Sequence, residues 1–223
     1  MINLNKISIF EGLEQSELDR VVKWIAKRTY PKGTTIFVEG EETDGIYIVT
    51  SGHVKVSKLH KDGREKTLAI LSEGDILGEM TLFGLGLRTA TAETLEHTTV
   101  LVIPKVNFRS LLMETPKISV KIIEILSNRL KQANRQIEEL VFLNARSRVI
   151  YNLISLAKVY GRPEEGEINI SLQLTHAELA KLVGISRETM TKVLAELQES
   201  NLIKVTRKKL QVINLDNLYQ QVM

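Results

Sequence analysis

The 223-residue sequence predicts an α+β fold in three successive parts. An antiparallel β jelly roll is expected over 1–115, a long dimerisation helix with its hinge over 116–144, and a winged helix-turn-helix domain over 145–223. Three observations predict this order. Short β-branched runs cut by glycine turns fill the first half, an apolar three-four repeat follows, and two capped helices joined by a glycine stand near the end.

The jelly roll is predicted from turn signals that divide the region after Pro31 into short strands. Gly52, Gly63 and Gly74 are spaced by eleven residues. The runs between these glycines are rich in valine, isoleucine, threonine and leucine, the residues that favour strands. The last of these runs ends near Pro104. Regular short strands with glycine turns favour a small antiparallel barrel or jelly roll.

Two segments of this region have a predicted buried face. A short helix is expected over 8–28, with Ser16 as its cap and an apolar face formed by Leu18, Val21, Val22 and Ile25. The strand "GHVKVSKL" alternates, so one face carries Val54 and Val56 and the other carries Lys55 and Ser57.

The long helix is predicted from an apolar repeat that begins after Pro116 and continues for about 28 residues. The spacing of three and four residues is typical of a two-stranded coiled-coil seam, which predicts a parallel homodimer. The alternative is one amphipathic helix lying on the jelly roll. A second apolar row, formed by Ile118, Ile122 and Ile125, can face the jelly roll while the seam faces a partner helix. The seam consists of Ile123, Leu126, Leu130, Ala133, Ile137 and Leu140.

The segment "THAELAKLVGISRETMTKVLAEL" has the pattern of a helix-turn-helix. Thr175 and Glu178 form a predicted capping box, Gly184 stands at the turn, and Ser186 can cap the second helix. Ala180 is small where the helices must cross, and Met190 and Val193 point to the core. The predicted DNA-facing residues are Thr175, His176, Ser186, Arg187, Glu188, Thr191 and Lys192. The alternative is a three-helix domain with a solvated charged face.

The elements around the helix-turn-helix are also predicted from the sequence. A helix is expected over Arg148–Tyr160 after a break around Asn144, and "GRPEEGE" is expected to be a polar loop. The last segment, "LIKVTRKKLQVIN", predicts a hairpin, or wing, with the basic tip Arg207-Lys208-Lys209 suited to phosphate contact.

The charge distribution supports an anionic partner at the C-terminal end. Residues 1–144 carry 19 basic and 19 acidic residues, whereas residues 145–223 carry 11 and 8. The whole net charge of +3 therefore lies in the last third, which is a weak indication of nucleic acid binding.

Several other classes of protein are not expected. The chain has no cysteine, which removes disulfides, thiolate metal sites and iron–sulfur clusters and favours a cytoplasmic location. No signal peptide or membrane-spanning run is evident. No nucleophile–base pairing indicates an enzyme, and no residue argues for haem. The four histidines show no metal-ligand spacing: His53, His60, His97 and His176.

The segment "GEMTLFGLGLRTATAE" carries a lone acid, Glu79, and a lone base, Arg88, among small and apolar residues. It resembles the phosphate-binding cassette of cyclic-nucleotide domains, and "ISRETMTKVLAEL" resembles a recognition helix. Nearly end to end, the chain resembles the Crp–Fnr family of bacterial transcription regulators, and within it the cyclic-AMP receptor proteins.

The resemblance implies a cyclic-nucleotide effector such as cyclic AMP. Glu79 would accept the ribose 2′-hydroxyl proton, Arg88 would pair with the phosphate, and Thr89 would add a donor. Backbone N–H groups near Gly78 to Leu82, that of Met80 included, would donate to sugar or phosphate if a short helix starts there. The remaining implied contacts are Val56 and Leu68 in the apolar part of the pocket, Arg129 bracing Glu79, and Asn134 reading the base.

One departure from the family pattern lies on the long helix. Cyclic-AMP receptors present a hydroxyl pair there, which reaches adenine across the dimer, whereas this chain has Ala133 and Asn134. The amide of Asn134 carries a hydrogen-bond donor and an acceptor, so it can still bind the edge of a purine base. The sugar-phosphate half of the pocket keeps the family pattern and the base-reading half is altered.

The resemblance also implies the partners. Arg187, Glu188 and Lys192 resemble the base-reading trio of cyclic-AMP receptors, which implies a DNA palindrome with TGTGA-like half-sites, and RNA polymerase is the implied protein partner. Lysine stands where the family has arginine in the third position, so the preference at that base is expected to relax.

Three alternatives stay open at this point. In the first, Glu79 and Arg88 form a structural ion pair in a pocket that binds no ligand. In the second, the regulator is constitutive or responds to a different small molecule. An enzyme that turns over a nucleotide is the rival class.

Overall fold

The computed structural model describes residues 4, 7–82, 86–164, 166–206 and 210–222. The chain forms two compact units, Met1–Lys131 and Gln132–Met223. The junction falls inside the long helix α3, Pro116–Phe142. The three-part division expected from the sequence remains a prediction.

In the described part of the first unit, eight strands form two four-stranded antiparallel sheets. One sheet has the order β1-β8-β3-β6 and the other the order β2-β7-β4-β5. The strands are β1 (Ala26–Tyr30), β2 (Thr35–Phe37), β3 (Gly45–Ser51), β4 (Val54–Leu59), β5 (Glu65–Leu71), β6 (Ile76–Leu77), β7 (Thr91–Thr94) and β8 (Thr98–Pro104). The helices are α1 (Gln15–Trp24), α2 (Lys105–Glu114) and the first part of α3. This arrangement confirms the antiparallel fold class predicted for this region.

Two apolar clusters hold the first unit together. One lies between the sheets and draws on both: Phe37, Tyr47, Val49, Val54, Leu71, Leu77, Ala92, Val100 and Val102. The other lies between the first sheet and the helices, and joins Ile46, Ile48, Leu101 and Ile103 to Phe10, Leu18, Val21, Phe108, Leu111, Ile118 and Ile122. The first sheet is thus covered on both faces, which explains why β3 reads as the continuous apolar run Ile46–Val49.

The entry helix differs from its prediction. It begins at Gln15, and its N-cap is Glu14, which forms a capping box with Glu17, so Ser16 lies inside the first turn and is not the cap. Leu18 and Val21 are buried as expected, but Val22 is 55% exposed. The helix ends at Trp24 because the chain then pairs with β8, from Ala26 opposite Val102 to Tyr30 opposite Thr98, and that ladder replaces the last predicted helical turn.

The polar face of β4 is also not what alternation predicts. Lys55 and Ser57 are both buried. Lys55 Nζ lies 2.8 Å from Glu65 and 3.2 Å from Glu93, on the two neighbouring strands. A cation flanked by two carboxylates can lose its contact with water, so the polar side of this strand is covered by its own ion pairs.

The second unit contains the end of α3 and the helices α4 (Ala145–Tyr160), α5 (His176–Val183), α6 (Arg187–Glu199) and α7 (Leu215–Gln220). Its described strands are β9 (Gly161–Glu164), β10 (Glu167–Ile170), β11 (Ile203–Val205) and β12 (Leu210–Val212), in the order β11-β12-β10-β9. The pairing of β11 with β12 confirms the predicted hairpin. Its tip, residues 207–209, lies outside the described residues.

The segment predicted as a polar loop, "GRPEEGE", is instead a hairpin. Arg162 pairs with Asn169 across β9 and β10, and Ile168 pairs in turn with Val212 of β12. Pro163 is tolerated because β9 is the edge strand of this sheet, where a missing N–H breaks no ladder. Tertiary pairing with β12 overrides the polar composition that suggested a loop.

The helix-turn-helix has the predicted local structure. Thr175 and Glu178 form the capping box of α5, and the Ser186 side chain accepts from the Thr189 N–H at the start of α6. Gly184 ends α5 with φ of 80°, in the left-handed region of backbone conformation that residues other than glycine rarely adopt. The inward residues Ala180, Met190 and Val193 are buried. Within the described ranges, no helix combines the length and the apolar character needed to cross a membrane.

Candidate functional site

The cassette begins where β6 ends, at a glycine that no other residue can replace without a shift. Gly78 has φ of 89° and leads into a short 3-10 turn, Glu79–Thr81. A Cβ at this position would lie 2.2 Å from Arg88 Nη1 and 3.1 Å from the Gly45 carbonyl oxygen. The backbone therefore passes directly under the Arg88 guanidinium. The next residues, 83–85, with Gly84 among them, lie outside the described part of the chain.

Arg88 is buried, at 2% exposure, and is held from one side. Its Nη2 donates to Asp44 Oδ1 at 2.6 Å and to the Gly45 carbonyl at 2.9 Å. Its Cζ lies 4.0 Å from the centroid of the Phe37 ring and 5.4 Å from that of Tyr47, so the guanidinium stacks on aromatic faces. These contacts fix the plane of the group and leave Nε and Nη1 without a hydrogen-bond partner.

Asp44 and Tyr47 were not found as site residues from the sequence, where Asp44-Gly45 served only as a turn signal. The Tyr47 hydroxyl donates to Asp44 Oδ2 at 2.7 Å. Burial works against ionisation of Asp44, but the Tyr47 hydrogen bond and the Arg88 charge outweigh it and hold the pKa of Asp44 below its ordinary value. Burial, reinforced by the hydrogen bond to Asp44, raises the pKa of Tyr47, so the phenol stays a donor.

Glu79 is paired with a residue of the long helix. Arg129 Nη1 donates to Glu79 Oε1, and Arg129 Nη2 donates to the carbonyl of Ile76. Glu79 is only 1% exposed. Burial raises the pKa of Glu79 above its ordinary value, although Arg129 and, less strongly, Arg88 pull it down. Arg129 therefore joins α3 to the acid of the cassette and to the backbone of β6, the strand that leads into the cassette.

Three polar atoms of the cassette are buried without a hydrogen-bond partner: Glu79 Oε2, Arg88 Nε and Arg88 Nη1. Among the described residues, Glu79 pairs with Arg129 and Arg88 with Asp44, so the structural ion pair between Glu79 and Arg88 does not form. Buried polar atoms are nearly always satisfied, and an unsatisfied one requires an explanation. An acceptor and two cationic donors left open together suit a ligand that carries both a hydroxyl and an anionic group.

The other residues predicted for the pocket differ in how deeply they are buried. Val56 is half-buried and packs against the cluster that contains Phe37 and Tyr47. Leu68 is 37% exposed and lies at a bulge, since Ala69 pairs with Val56 and Thr67 with Ser57. The side chains of Met80, Thr89 and Asn134 are exposed.

The long helix has one buried and one exposed apolar row. Ile118 and Ile122 are buried, and Ile125 packs against the helix-facing cluster of the first unit. Of the predicted seam, Leu126 also packs against that cluster, and Ala133 is exposed. The other four seam residues, Ile123, Leu130, Ile137 and Leu140, are 50–65% exposed. A row of this length on one helix is typical of an interaction face.

The candidate nucleic-acid interface is the exposed face of α6. The side chains of Arg187, Glu188, Thr191 and Lys192 are exposed on this helix, while Leu194 and Leu197 are buried with the inward residues described above. Backbone hydrogen bonding at the start of α6, with a contribution from Ser186, lowers the pKa of Glu188, so its carboxylate acts as an acceptor. This face combines donors for guanine with an acceptor for cytosine.

Thr175 and His176 lie at the start of α5. Thr175 is engaged in the capping box, and His176 Nδ1 lies 3.0 Å from Thr191 Oγ1. No group of three or more potential metal-binding side chains occurs in the described ranges.

Comparison with known proteins matches both halves of the chain. Residues 27–115 match the cyclic nucleotide-binding domain, and residues 147–221 match the Crp-like helix-turn-helix domain. The chain is 34% identical over 215 residues to the CRP-like cAMP-activated global transcriptional regulator of Mycobacterium tuberculosis, with 96% of each chain covered. It is 34% identical over 197 residues to the cyclic AMP receptor protein of Thermus thermophilus, with 88% of each covered.

The fold is also that of solved regulators. The c-di-GMP responsive global regulator CLP of Xanthomonas campestris aligns with a TM-score of 0.80 at 28% identity, over 90% of this chain and 100% of that one. The fold class predicted from the sequence is thereby confirmed, and the chain belongs to the Crp–Fnr family of DNA-binding transcription regulators.

Proposed function

We propose that this regulator is gated by a cyclic nucleotide, with cyclic AMP as the first candidate, and acts as a cytoplasmic binding protein without catalytic turnover. The observation that carries the proposal is the set of three unpartnered buried atoms, Glu79 Oε2, Arg88 Nε and Arg88 Nη1. A cyclic nucleotide supplies the matching groups, since its ribose 2′-hydroxyl donates and its phosphate oxygens accept. The names of the Mycobacterium and Thermus relatives support cyclic AMP over other nucleotides.

Binding in this site needs little rearrangement of Arg88. The guanidinium is already held by Asp44, the Gly45 carbonyl and the Phe37 ring, and its Nε and Nη1 remain unpartnered donors. Because the group is fixed before the ligand arrives, the phosphate contact costs little conformational entropy. The backbone at Gly78 lies close to Nη1, so its neighbouring N–H groups are candidate donors to the ligand.

The regulator is proposed to bind DNA as a homodimer through the exposed apolar row of α3. A two-fold dimer places two recognition helices in successive major grooves, about 34 Å apart, and so reads a palindrome. Arg187, Glu188 and Lys192 are the proposed base-reading residues, with TGTGA-like half-sites as the first sequence to test. RNA polymerase is the proposed protein partner, and the wing residues 207–209 are proposed phosphate contacts.

The proposed mechanism is a population shift between DNA-binding states. A ligand hydroxyl on Glu79 Oε2 stabilises the ionised carboxylate, and the ionised carboxylate in turn strengthens the pair with Arg129 of α3. The contact between the jelly roll and the dimer helix tightens, the seam extends through Ile137 and Leu140, and the DNA-binding domains reorient about Asn144.

A second candidate is a regulator that answers to a different effector, or to none. Its support is the exposed pair Ala133 and Asn134, which lacks the hydroxyls of the cyclic-AMP receptors, and the Xanthomonas regulator, which has the same fold and is described as c-di-GMP responsive. This candidate keeps the DNA-binding half of the proposal unchanged.

Titration calorimetry of the purified chain against cyclic AMP, cyclic GMP and c-di-GMP tests the effector. Saturable binding of cyclic AMP, with tighter binding of a palindromic DNA in its presence, supports the proposal. Binding of c-di-GMP alone, or equal DNA affinity with and without every nucleotide, rejects it in favour of the second candidate. Chromatography of the nucleotide after incubation tests the absence of turnover, since hydrolysis products would indicate an enzyme.

A further inference from the structure

A hydrogen bond joins the two helices of the helix-turn-helix beside the candidate DNA-reading face. His176 Nδ1 and Thr191 Oγ1 lie 3.0 Å apart and are separated by 15 residues in the chain. His176 is the first residue of α5 and is half-buried, whereas Thr191 is exposed on α6, one turn beyond Arg187 and next to Lys192. The bond therefore reaches from the first helix to a residue of the candidate base-reading face.

The hydrogen bond to His176 restricts the side-chain rotamer of Thr191. A threonine on an α-helix has two common side-chain rotamers, because its hydroxyl can bond back to a carbonyl three or four residues earlier. Here the Thr191 hydroxyl is drawn towards His176 instead. One rotamer is thereby selected, and both the hydroxyl and the methyl group of Thr191 have fixed positions.

The backbone that carries the His176 imidazole is itself held in place by the capping box of α5. Thr175 and Glu178 hold the first turn of α5, with Thr175 N donating to Glu178 Oε2 at 2.6 Å and Glu178 N donating to Thr175 Oγ1 at 3.2 Å. His176 follows the capping residue directly. The cap of one helix is thus connected through a single side chain to the exposed face of the next.

We propose that His176 is a positioning residue that sets the base preference of Thr191. A threonine methyl contacts the thymine methyl group, and its hydroxyl can bond to several base edges, so a freely rotating threonine discriminates poorly. A threonine held in one rotamer presents a single arrangement to the nearest base pair and discriminates better. The inference rests on the proposed reading of bases by α6.

Selection from random half-sites, followed by competition binding, tests this on the full-length dimeric protein. Six variants are compared with the wild type: His176→Ala, His176→Asn, Thr191→Val, the double variant His176→Ala/Thr191→Val, Thr189→Val and Arg187→Ala. Asparagine retains a polar atom close to the Nδ1 position. Thr189→Val removes another hydroxyl of α6, one that lies 3.0 Å from the Ser186 hydroxyl, and serves as the matched control.

The expected result is a change confined to one base pair. His176→Ala and Thr191→Val should relax the same position by about threefold to tenfold in the ratio of best to next-best base, the size of one ordinary hydrogen bond. The double variant should relax it no further, because both changes remove the same bond. His176→Asn should retain most of the preference, and Thr189→Val should leave the motif unchanged.

Two results distinguish a failure of the proposed role of His176 from a failure of the proposal that α6 reads bases. If His176→Ala weakens binding to every sequence equally and lowers the salt dependence while the motif stays the same, His176 is a phosphate contact only and the inference is overturned. If Arg187→Ala also leaves the selected motif unchanged, α6 does not read bases and the proposed interface itself is wrong.

Discussion

Arg88→Leu is expected to abolish tight cyclic-nucleotide binding while the protein remains folded. The substitution removes Nε and Nη1, the two buried donors that lack a partner in the structure. A hydrogen bond to a charged group contributes about 1.5–3 kcal/mol, so loss of one such bond to phosphate weakens binding about tenfold to 150-fold. Loss of both weakens it further, and isothermal titration calorimetry measures the change directly.

The effect of Arg88→Leu on stability is expected to be small because two terms oppose each other. The variant loses the bonds from Nη2 to Asp44 and to the Gly45 carbonyl. It also removes two unsatisfied buried donors, each of which costs about 1–3 kcal/mol. The side chain of Asp44 is 53% exposed and can bind water in place of the guanidinium. The net change should stay within about 1 kcal/mol, or about 2–4 °C in Tm.

Lys55→Met is the matched control for this experiment. Lys55 is also a buried cation in the jelly roll, but it is paired with Glu65 and Glu93, and its Nζ is not one of the unpartnered buried atoms. Its loss removes the cation that lies between Glu65 and Glu93 and should lower the free energy of unfolding by about 3 kcal/mol, with the nucleotide affinity unchanged. Unchanged nucleotide affinity in Arg88→Leu, or a stability loss as large as that of Lys55→Met, would refute the reasoning about the two unpartnered donors, Nε and Nη1.

Three further predictions test the dimer, the base reading and the Asp44 contact. Leu130→Asp places a charge in the apolar row of α3 and should give monomers in sedimentation velocity, whereas an intact dimer would exclude this helix as the interface. Lys192→Arg restores a planar bidentate donor and should make selected DNA motifs more stringent at one base of each half-site; an unchanged motif would count against that contact. Asp44 has a lowered folded-state pKa, so its pairing stabilises the protein above its unfolded-state pKa and stops doing so as the pH falls through the folded value. The Tm difference between wild type and Asp44→Asn should therefore be largest near neutral pH, begin to shrink as the pH falls to about 3.8, the ordinary pKa of an aspartate, and disappear only below the lower folded-state pKa, while a pH-independent difference contradicts the role of the charge.

Local chemistry explains what could be predicted from the sequence. The capping box of Thr175 and Glu178 and the left-handed Gly184 depend on residues within a turn of each other, and both have the predicted geometry. The apolar spacing of α3 likewise predicted a helix from Pro116, and the structure has one through Phe142. The helix caps, the glycine turn and the helical spacing depend on residues that are close in the sequence, and tertiary contacts did not change them.

The features that could not be predicted depend on contacts between distant residues. Asp44 and Arg88 are 44 residues apart, and only the fold brings them to 2.6 Å. The burial of Lys55 depends on Glu65 and Glu93 from neighbouring strands, whereas strand alternation alone placed Lys55 only on the face opposite Val54 and Val56. The hairpin at 161–170 forms because β12 is available to pair with it. In each case the sequence pattern was compatible with two outcomes, and a distant partner decided between them.

In the proposed binding mode, Glu79 links the effector to the long helix. Its Oε1 is taken by Arg129, its Oε2 has no partner, and burial outweighs the arginine in setting its pKa. A carboxyl group whose folded-state pKa is raised favours folding most when it is protonated, and that contribution is lost as the pH rises through the folded value. The buried surroundings of Glu79 thus disfavour the ionised form, and the ionised form is the one that binds Arg129 best. A hydroxyl donated to Oε2 stabilises the ionised form and with it the pair to α3. Any ligand that brings such a hydroxyl therefore strengthens the contact between the cassette and the long helix, whatever base it carries, and the base can then be read elsewhere.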